Sequence, residues 1–470
     1  MTSMHAEGAA AMEHHSPGCD FTDHRTLLGA VADCLALNPL ETSEALCRRH
    51  GLSLDGLLHC YRLMRESSEV RMRWANSPRA EFFQTADQIL SRMDVVERIL
   101  ADQFVFPLFI EFHSGGMCPI QCTFCYNDGL DHFKSRHSRA QMMDGPRLVA
   151  LVDDAADEGT LLFYIAGGGE PMSDPRIWPA LKRARERGMI TILNTMGGHL
   201  KRAGTVENIL GSVSHIRVSL NSTDPAAYRI VSRTSDDRMF HRVIAGLRDL
   251  VDRRDAAQSP LRITLSFVLY PDSWSEIEAM AELGASIGVD EVYVRQYYDG
   301  AKEQGPDLVG TIEAAQERLL VRESKGHFGR TRIRVGLSLD TEPFDSPFRA
   351  AIHDSDCLAT RFKIGIDAWG NIHRCSLVAQ PGVGGFNFTI GNVLEAGSLR
   401  QALEPAIAEP REPVSACNEK GIYCSNFEAF FNGLMTKLRR DRDFGVPLCE
   451  QPFLPPVNAE NGRWFNRRTA

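Results

Sequence analysis

From about Thr26 to Leu100 the apolar positions fall at helical spacing, as in Leu27, Leu28, Val31 and Leu35 and again in Leu57, Leu58, Tyr61, Leu63 and Met64. This periodicity predicts a helical N-terminal domain over 26–104, with Ser53 or Asp55 capping one helix and Pro78 breaking the run after Asn76 and Ser77. From Phe106 the pattern changes to short apolar or β-branched runs at 106–113, 161–166, 190–194, 215–220, 263–270 and 291–296. Between them lie helical stretches at 146–158, 175–187, 239–254 and 273–287, the second followed by Gly188, where a helix C-terminus calls for glycine. Six βα units in sequence predict an α/β fold with a parallel sheet and outer helices over 105–325, either an open doubly wound sheet or a partial barrel.

Past Gly326 this repetition is expected to stop. Residues 362–367 and 371–375 flank Ala368-Trp369-Gly370 and read as a β-hairpin with glycine in its turn. A turn at Ile390-Gly391-Asn392 then leads to a helix near 398–403, within a small C-terminal α+β unit over 326–450. Residues 1–25, with His5, His14 and His15 among small and acidic residues, read as a flexible tail, and 451–470 as a second one.

Length and composition narrow the class. With 470 residues, 43% of them hydrophobic and 24% charged, the chain has the make-up of a soluble protein of more than one domain. No apolar run is long enough to span a bilayer, and the start lacks the apolar core of a secretory signal, so no membrane association is expected. Acidic residues outnumber basic ones 61 to 52, a net charge of −9, the opposite of what neutralising phosphates requires; nucleic acid is not an expected partner. Twelve cysteines without an export signal point to a reducing cytoplasm and to metal ligation.

Three of those cysteines, Cys118, Cys122 and Cys125, form a CxxxCxxC array directly after the first predicted strand. Closed zinc and iron-sulfur sites take four protein ligands, so three thiolates leave one metal position open for a substrate or cofactor. A zinc knuckle short of one ligand, a disulfide pair and buried apolar thiols are the other readings of the array. After the second strand comes Gly167-Gly168-Gly169-Glu170-Pro171, where glycines allow close backbone approach and Glu170 can accept from an ammonium. The third and fourth strands end in polar residues, among them Asn194, Ser219 and Asn221, at the carboxyl edge where parallel α/β folds build their sites. The sixth delivers Arg295, Gln296 and Tyr297 as candidates to face a substrate. A second constellation, Cys357, Cys375, Cys417 and Cys424, is split two and two across the hairpin and a later loop and suits a closed tetrahedral or cubane site, with zinc as the alternative to iron-sulfur.

The cysteine array, with Phe124 just before its last cysteine, and the Gly168-Gly169-Glu170 element resemble the radical SAM superfamily. The resemblance implies a six-stranded partial (β/α)6 barrel. It implies a [4Fe-4S] cluster on Cys118, Cys122 and Cys125 whose fourth iron is chelated by S-adenosyl-L-methionine. It further implies a cofactor amino group held at Gly168, Gly169 and Glu170, with its ribose and carboxylate held by Asn194, Ser219, Asn221 and an arginine, Arg233 in preference to Arg229. The C-terminal segment is similar to the twitch and SPASM domains of that superfamily through Cys357, Gly370, Cys375 and the Ile390-Gly391-Asn392 element. One auxiliary [4Fe-4S] cluster is therefore expected on Cys357, Cys375, Cys417 and Cys424; the seven-residue spacing of the last pair departs from the family's usual CxxC, and Cys449 is left unassigned.

The activity so implied is an oxidoreductase or lyase that makes a 5′-deoxyadenosyl radical and is supplied with electrons by a reductase or a flavodoxin- or ferredoxin-type donor. The acidic balance, the helical N-terminal domain and the single auxiliary site lead to a small polar natural product as substrate, an amino sugar or aminocyclitol of the kind tailored in antibiotic biosynthesis, undergoing dehydrogenation. Dehydration or epimerisation of the same substrate, maturation of a ribosomal peptide, and a non-enzymatic metal protein are the alternatives.

Overall fold

The computed structural model describes residues 24–75, 77, 79–115, 117–125, 142–269, 273–296, 307–336, 346–375, 389–407, 414–418, 424 and 426–454. Most of the expected tails 1–25 and 451–470, and Tyr297, lie outside the described residues, but the first helix already begins at His24, and Gln451, Phe453 and Leu454 are buried rather than part of a tail.

Six helices open the chain, α1 (His24–Leu37), α2 (Ser43–His50), α3 (Leu54–Glu66), α4 (Ser68–Ala75), α5 (Ala80–Leu90) and α6 (Met93–Leu100). Their boundaries follow from capping chemistry: Thr42 accepts from the Ala45 amide ahead of α2, and Ser53, not Asp55, accepts from the Gly56 amide ahead of α3. The break between α4 and α5 falls where Pro78 predicts it.

Strands and helices then alternate as β1 (Phe109–His113), α7 (Gly145–Asp157), β2 (Leu162–Ala166), α8 (Ile177–Glu186), β3 (Ile190–Thr195), α9 (Thr205–Ser212), β4 (His215–Ser219), α10 (Pro225–Val231), α11 (Met239–Ala256), β5 (Arg262–Leu269), α12 (Ile277–Ile287) and β6 (Glu291–Gln296). All six expected strands are present and in the expected parallel order. The helix before Gly188 ends as expected, with that glycine at φ +80°.

Three features differ from the sequence reading. The βα repetition does not stop at Gly326: α13 (Asp307–Ser324) leads to β7 (Arg332–Gly336), which pairs parallel to β6. After α14 (Pro347–His353), the predicted hairpin of β8 (Lys363–Asp367) and β9 (Asn371–His373) joins the main sheet, because β8 pairs parallel to β1 with Phe109 opposite Lys363 and His113 opposite Asp367. The element expected as a turn at Ile390-Gly391-Asn392 is strand β10 (Thr389–Asn392), antiparallel to β9. The result is one sheet of ten strands in the order β10-β9-β8-β1-β2-β3-β4-β5-β6-β7. The chain closes with α15 (Val393–Ala396), α16 (Leu399–Ile407), α17 (Val414–Asn418) and α18 (Asn426–Phe444).

The two sheet faces carry different chemistry. Ile110, Phe112, Phe163, Ile165, Leu193, Ile216, Val218, Leu265, Phe267 and Val292 form one core with the outer helices. On the opposite face the first strand residues, Phe109 and Leu162, and then Ile192, belong to a second core made by α1–α6 and α18. Phe82 of α5 sits edge-on to Phe430 at 5.5 Å and to Phe348 at 5.9 Å within it. This core is an apolar floor under the inner face of the sheet. Above it the inner face turns polar, with Glu111, Tyr164, Asn194, Arg217, Glu291, Arg295, Arg334 and Lys363 alternating against the outward apolar residues.

Candidate active site

The loop that follows β1 carries Cys118, Cys122 and Cys125 at the carboxyl edge of the sheet. Its backbone is fixed to the end of α10 by two hydrogen bonds, Gln121 N–H to Ser232 O at 2.9 Å and Thr123 N–H to Val231 O at 2.8 Å, while buried Ile120 anchors it in the core. Burial pushes the Cys118 thiol up to about 11 and the Cys122 thiol up to about 12, and the neighbouring thiols add to the shift. Cys118, Cys122 and Cys125 thus share one electrostatic environment that opposes free thiolates, which a bound cationic centre reverses. Both Arg233 and Arg229, the latter in the last turn of α10, are exposed, and Arg233 is near enough to the cysteine loop to lower Cys122. Arg233 also sits at φ +45°, a conformation rare for a side chain of its size. Phe124 is half-buried.

The loop after β2 approaches the cysteine loop closely. Gly168 has φ +76°, and a Cβ there would meet Gly115 N and His113 Cβ at 3.2 Å, so a side chain is excluded by both conformation and space. Glu170, 1% exposed, has its carboxylate bound by the Met172 amide at 3.0 Å, the Thr195 hydroxyl at 2.6 Å and the Met196 amide at 2.7 Å. Burial raises its pKa against those three bonds. Of the roughly four lone-pair sites of a carboxylate this leaves about one for a cofactor's ammonium. Cys118 feels the Glu170 charge, so the two expected cofactor contacts are neighbours.

Ser219 ends β4 beside Ser266 in register, and buried Asn221 accepts from the Val268 amide at 3.1 Å, tying the turn after β4 to β5. The Asn194 amide bonds the Tyr164 hydroxyl. Arg295 is exposed on the inner face and acts on Tyr164, which settles the phase of β6: Tyr293 and Arg295 face inward. The Gln296 side chain, like Tyr297, lies outside what is described. A cavity of about 680 Å³ opens beside Cys118, lined among others by Asp174, Arg176, His199 and Arg202.

Arg217 and Tyr164 were missed from sequence. The Arg217 guanidinium lies 5.9 Å over the Tyr164 ring, one layer beneath Ser219. The available signal was the alternation His215-Ile216-Arg217-Val218-Ser219, whose polar phase faces the interior.

The auxiliary cysteines also converge. Burial raises the Cys424 thiol well above its ordinary value, and Cys375, Cys357 and Cys417 all add to that shift. Glu428 is a further neighbour of both Cys424 and Cys357. That carboxylate meets Lys363 Nζ at 2.9 Å, and the same ammonium meets Glu111 at 2.7 Å. Burial would pull the ammonium down, but the two carboxylates outweigh it and hold Lys363 above the usual lysine range. This ion triad links β1, β8 and α18 between the two thiol sets.

Among the described residues no group of three or more His, Cys, Asp or Glu side chains stands where it could hold a single metal ion, and the described cysteines are all thiols. Soft thiolates shared among several corners are the donor set of an iron-sulfur cluster, which spreads its ligands more widely than one ion does. The residues therefore fit the group.

Residues 113–284 match the family model described as the Radical SAM superfamily. That stretch is thus similar to a radical SAM domain. Among curated proteins the chain is similar to the PqqA peptide cyclase of Granulibacter bethesdensis, 25% identical over 215 residues that make up 43% of this chain and 54% of that one. It is similar also to the PqqA peptide cyclase of Ruegeria pomeroyi, 25% identical over 236 residues, 48% of this chain and 57% of that one. The chain thus spans little more than half the length of these curated relatives. In fold it resembles Streptococcus suis SuiB bound to precursor peptide SuiA, with a TM-score of 0.50 and 17% identity over 72% of this chain and 74% of that one. No helix among the described residues is long and apolar enough to cross a membrane.

Proposed function

We propose that the protein is a peptide-modifying radical SAM enzyme that acts on a ribosomally made precursor. The observation that carries this reading is the similarity of stretches of 215 and 236 residues of this chain to two proteins named as cyclases of a peptide. The relatives support this alternative better than the amino sugar or aminocyclitol that charge balance favoured. Bulk charge describes solubility and steering, not the lining of a site, and the inner face of this sheet is rich in arginine despite the net charge of −9.

Cys118, Cys122 and Cys125 hold the [4Fe-4S] cluster in this reading, and Cys357, Cys375, Cys417 and Cys424 hold one auxiliary [4Fe-4S] cluster of a twitch- or SPASM-like segment. When bound, the first cluster and S-adenosyl-L-methionine supply one-electron chemistry that removes a hydrogen atom from a substrate carbon, with electrons drawn from a reductase or a flavodoxin- or ferredoxin-type donor. The chain's own residues orient and exclude. Gly168 lets backbone come against the cofactor, Glu170 offers its remaining lone pair to the ammonium, and Asn194, Ser219, Asn221 and Arg233 border the rest of the cofactor. The apolar floor under the inner face closes the site to water from below.

The test is anaerobic incubation of the reduced, reconstituted chain and S-adenosyl-L-methionine with peptides encoded near its gene and, separately, with deuterated amino sugars. A peptide-dependent rise in 5′-deoxyadenosine together with a mass change in the peptide is expected. Deuterium passing to 5′-deoxyadenosine from an amino sugar, with every peptide inert, overturns the reading and restores the small-molecule substrate.

A further inference from the structure

The inner face carries more cationic groups than its own carboxylates use. Glu291 accepts from Arg334 at 3.2 Å and is paired with Arg262. Glu111 is held by Lys363 at 2.7 Å and lies 3.5 Å from His113. Asp367 is taken by His373 at 3.1 Å and by the Trp369 and Asn371 amides. Arg217 helps to lower Glu291 from beyond ion-pair distance, and among the described residues neither it nor Arg295 forms an ion pair with a carboxylate. The Nε of Arg217 is closed to solvent with no hydrogen-bond acceptor in reach, an arrangement that is unfavourable unless a partner arrives. Both guanidiniums act on the buried Tyr164 phenol and counter the rise that burial causes.

We infer that Arg217 and Arg295, both on the inner face of the sheet, bind a carboxylate of the substrate and so set which residue of it is presented for reaction. The source of that carboxylate, an acidic side chain or a chain terminus, rests on the peptide reading; the carboxylate site itself does not. Three features favour a carboxylate over a neutral group. The Arg217 fork is already oriented, lying over the Tyr164 ring and in register with Asn194 and Thr264. A planar fork matches a planar two-oxygen acceptor. Arg295, flanked in register by Val268 and Gly336, is exposed at the end of its strand and open to a second group. In register Arg217 lies one layer beneath the row of Ser219, Ser266 and Tyr293 and Arg295 one layer above it, so a group held between them sits at the level of the strand ends that carry the expected cofactor contacts.

The experiment is calorimetric titration of the full chain, without turnover, using N-acetyl-glutamate α-amide and N-acetyl-glutamine α-amide as probes, with N-acetyl-glycine and inorganic phosphate as further arms. The glutamate probe is expected to bind about tenfold or more tightly than the glutamine probe, the ratio for a charged hydrogen bond. Arg217→Met is expected to erase that difference and Arg217→Lys to keep part of it, since a point charge replaces a fork. Arg295→Met, at an exposed strand end where folding is undisturbed, is expected to weaken the glutamate probe while its melting temperature stays that of the parent. Equal binding of the acidic and neutral probes, an unchanged ratio in both methionine variants, or phosphate binding as tightly as the glutamate probe overturns the inference. N-acetyl-glycine binding more tightly than the glutamate probe supports it with a chain terminus as the source. Probe binding that depends on Arg217 while every precursor peptide remains inert sinks the peptide reading and leaves the carboxylate site standing.

Discussion

The Thr195 hydroxyl donates to the Glu170 carboxylate at 2.6 Å, joining the end of one strand to the loop that follows its neighbour. A residue expected to meet a cofactor is thereby also a brace between two strand ends, and its substitution has two separable effects. Glu170→Ala strips acceptors from the Met172 and Met196 amides and the Thr195 hydroxyl. It is expected to lower the melting temperature as well as weaken S-adenosyl-L-methionine binding by about 1.5–3 kcal/mol. Glu170→Gln keeps an oxygen for one amide but sets its NH2 against the other amide donor, so both its stability and its cofactor binding are expected to fall between those of the parent and Glu170→Ala. Calorimetry of binding and thermal melts of the three proteins, compared side by side, check this; unchanged binding in Glu170→Ala assigns the residue to the brace alone.

Cluster loading divides by cysteine set. The reconstituted chain is expected to hold about eight irons, four for each of two [4Fe-4S] centres. Alanine at Cys118, Cys122 and Cys125 together is expected to halve the iron and abolish S-adenosyl-L-methionine cleavage. Alanine at Cys357 or Cys375 is expected to spare the first cluster, and iron analysis with Mössbauer spectra would expose a wrong division of ligands as loss of both.

Lys363 offers a test of packing electrostatics. Lys363→Met leaves Glu111 and Glu428 buried without their shared cation, and breaking a buried ion set in this way is expected to cost about 3–5 kcal/mol. The Lys363→Met, Glu428→Gln double variant removes one of the stranded charges and is expected to recover part of the loss. Urea melts at neutral pH measure both, and a double variant less stable than the single would refute the charge argument.

Acid sensitivity follows from His215. It is fully buried, bonded to Thr264 at 2.8 Å, and its pKa is held well below the ordinary value by burial and then by Arg217, Arg262 and Arg334. Below about pH 6.5 the unfolded chain protonates this imidazole and the native one does not, so the unfolded state binds more protons there. Its contribution is complete above about pH 6.5 and is lost as the pH falls from there through the depressed native value, with a slope of up to about 1.4 kcal/mol per pH unit. His199, lowered to about 4 by burial and then by Arg202 and Arg242, adds in the same direction. Stability curves from pH 7 to 5 are expected to be flatter for His215→Gln than for the parent; parallel curves would mean that His215 titrates normally.

The sheet was legible because its strands are short β-branched runs set between capped helices, and because Gly188 and the Gly168-Gly169-Glu170 element punctuate them at strand ends. The seventh strand was not. Arg332-Ile333-Arg334-Val335 alternates as a strand should, but its polar phase faces Glu291 inside the sheet, where an apolar lining was the default expectation. Arg217 escaped notice for the same reason. The joining of β8 to β1 had no local signal at all, since Lys363 and Phe109 are brought together only by the packing of residues distant along the chain. Nor could spacing show that the Glu170 carboxylate is already bound by three donors of its own chain.

The apolar floor has a consequence for how the protein is made. Its N-terminal and C-terminal halves meet in contacts such as that of the Ser43 amide with Asp441 at 2.7 Å, across 398 residues of chain. At about 5–20 residues per second a ribosome needs on the order of 20–80 s to bridge that interval. During this time the inward faces of Leu35, Leu57, Phe82 and Ile99 have been synthesised and the α18 residues that cover them, Phe430, Phe431 and Leu434, have not. The first hundred residues therefore wait for the last fifty with their greasy side open, which is the interval in which the growing chain is most prone to aggregate.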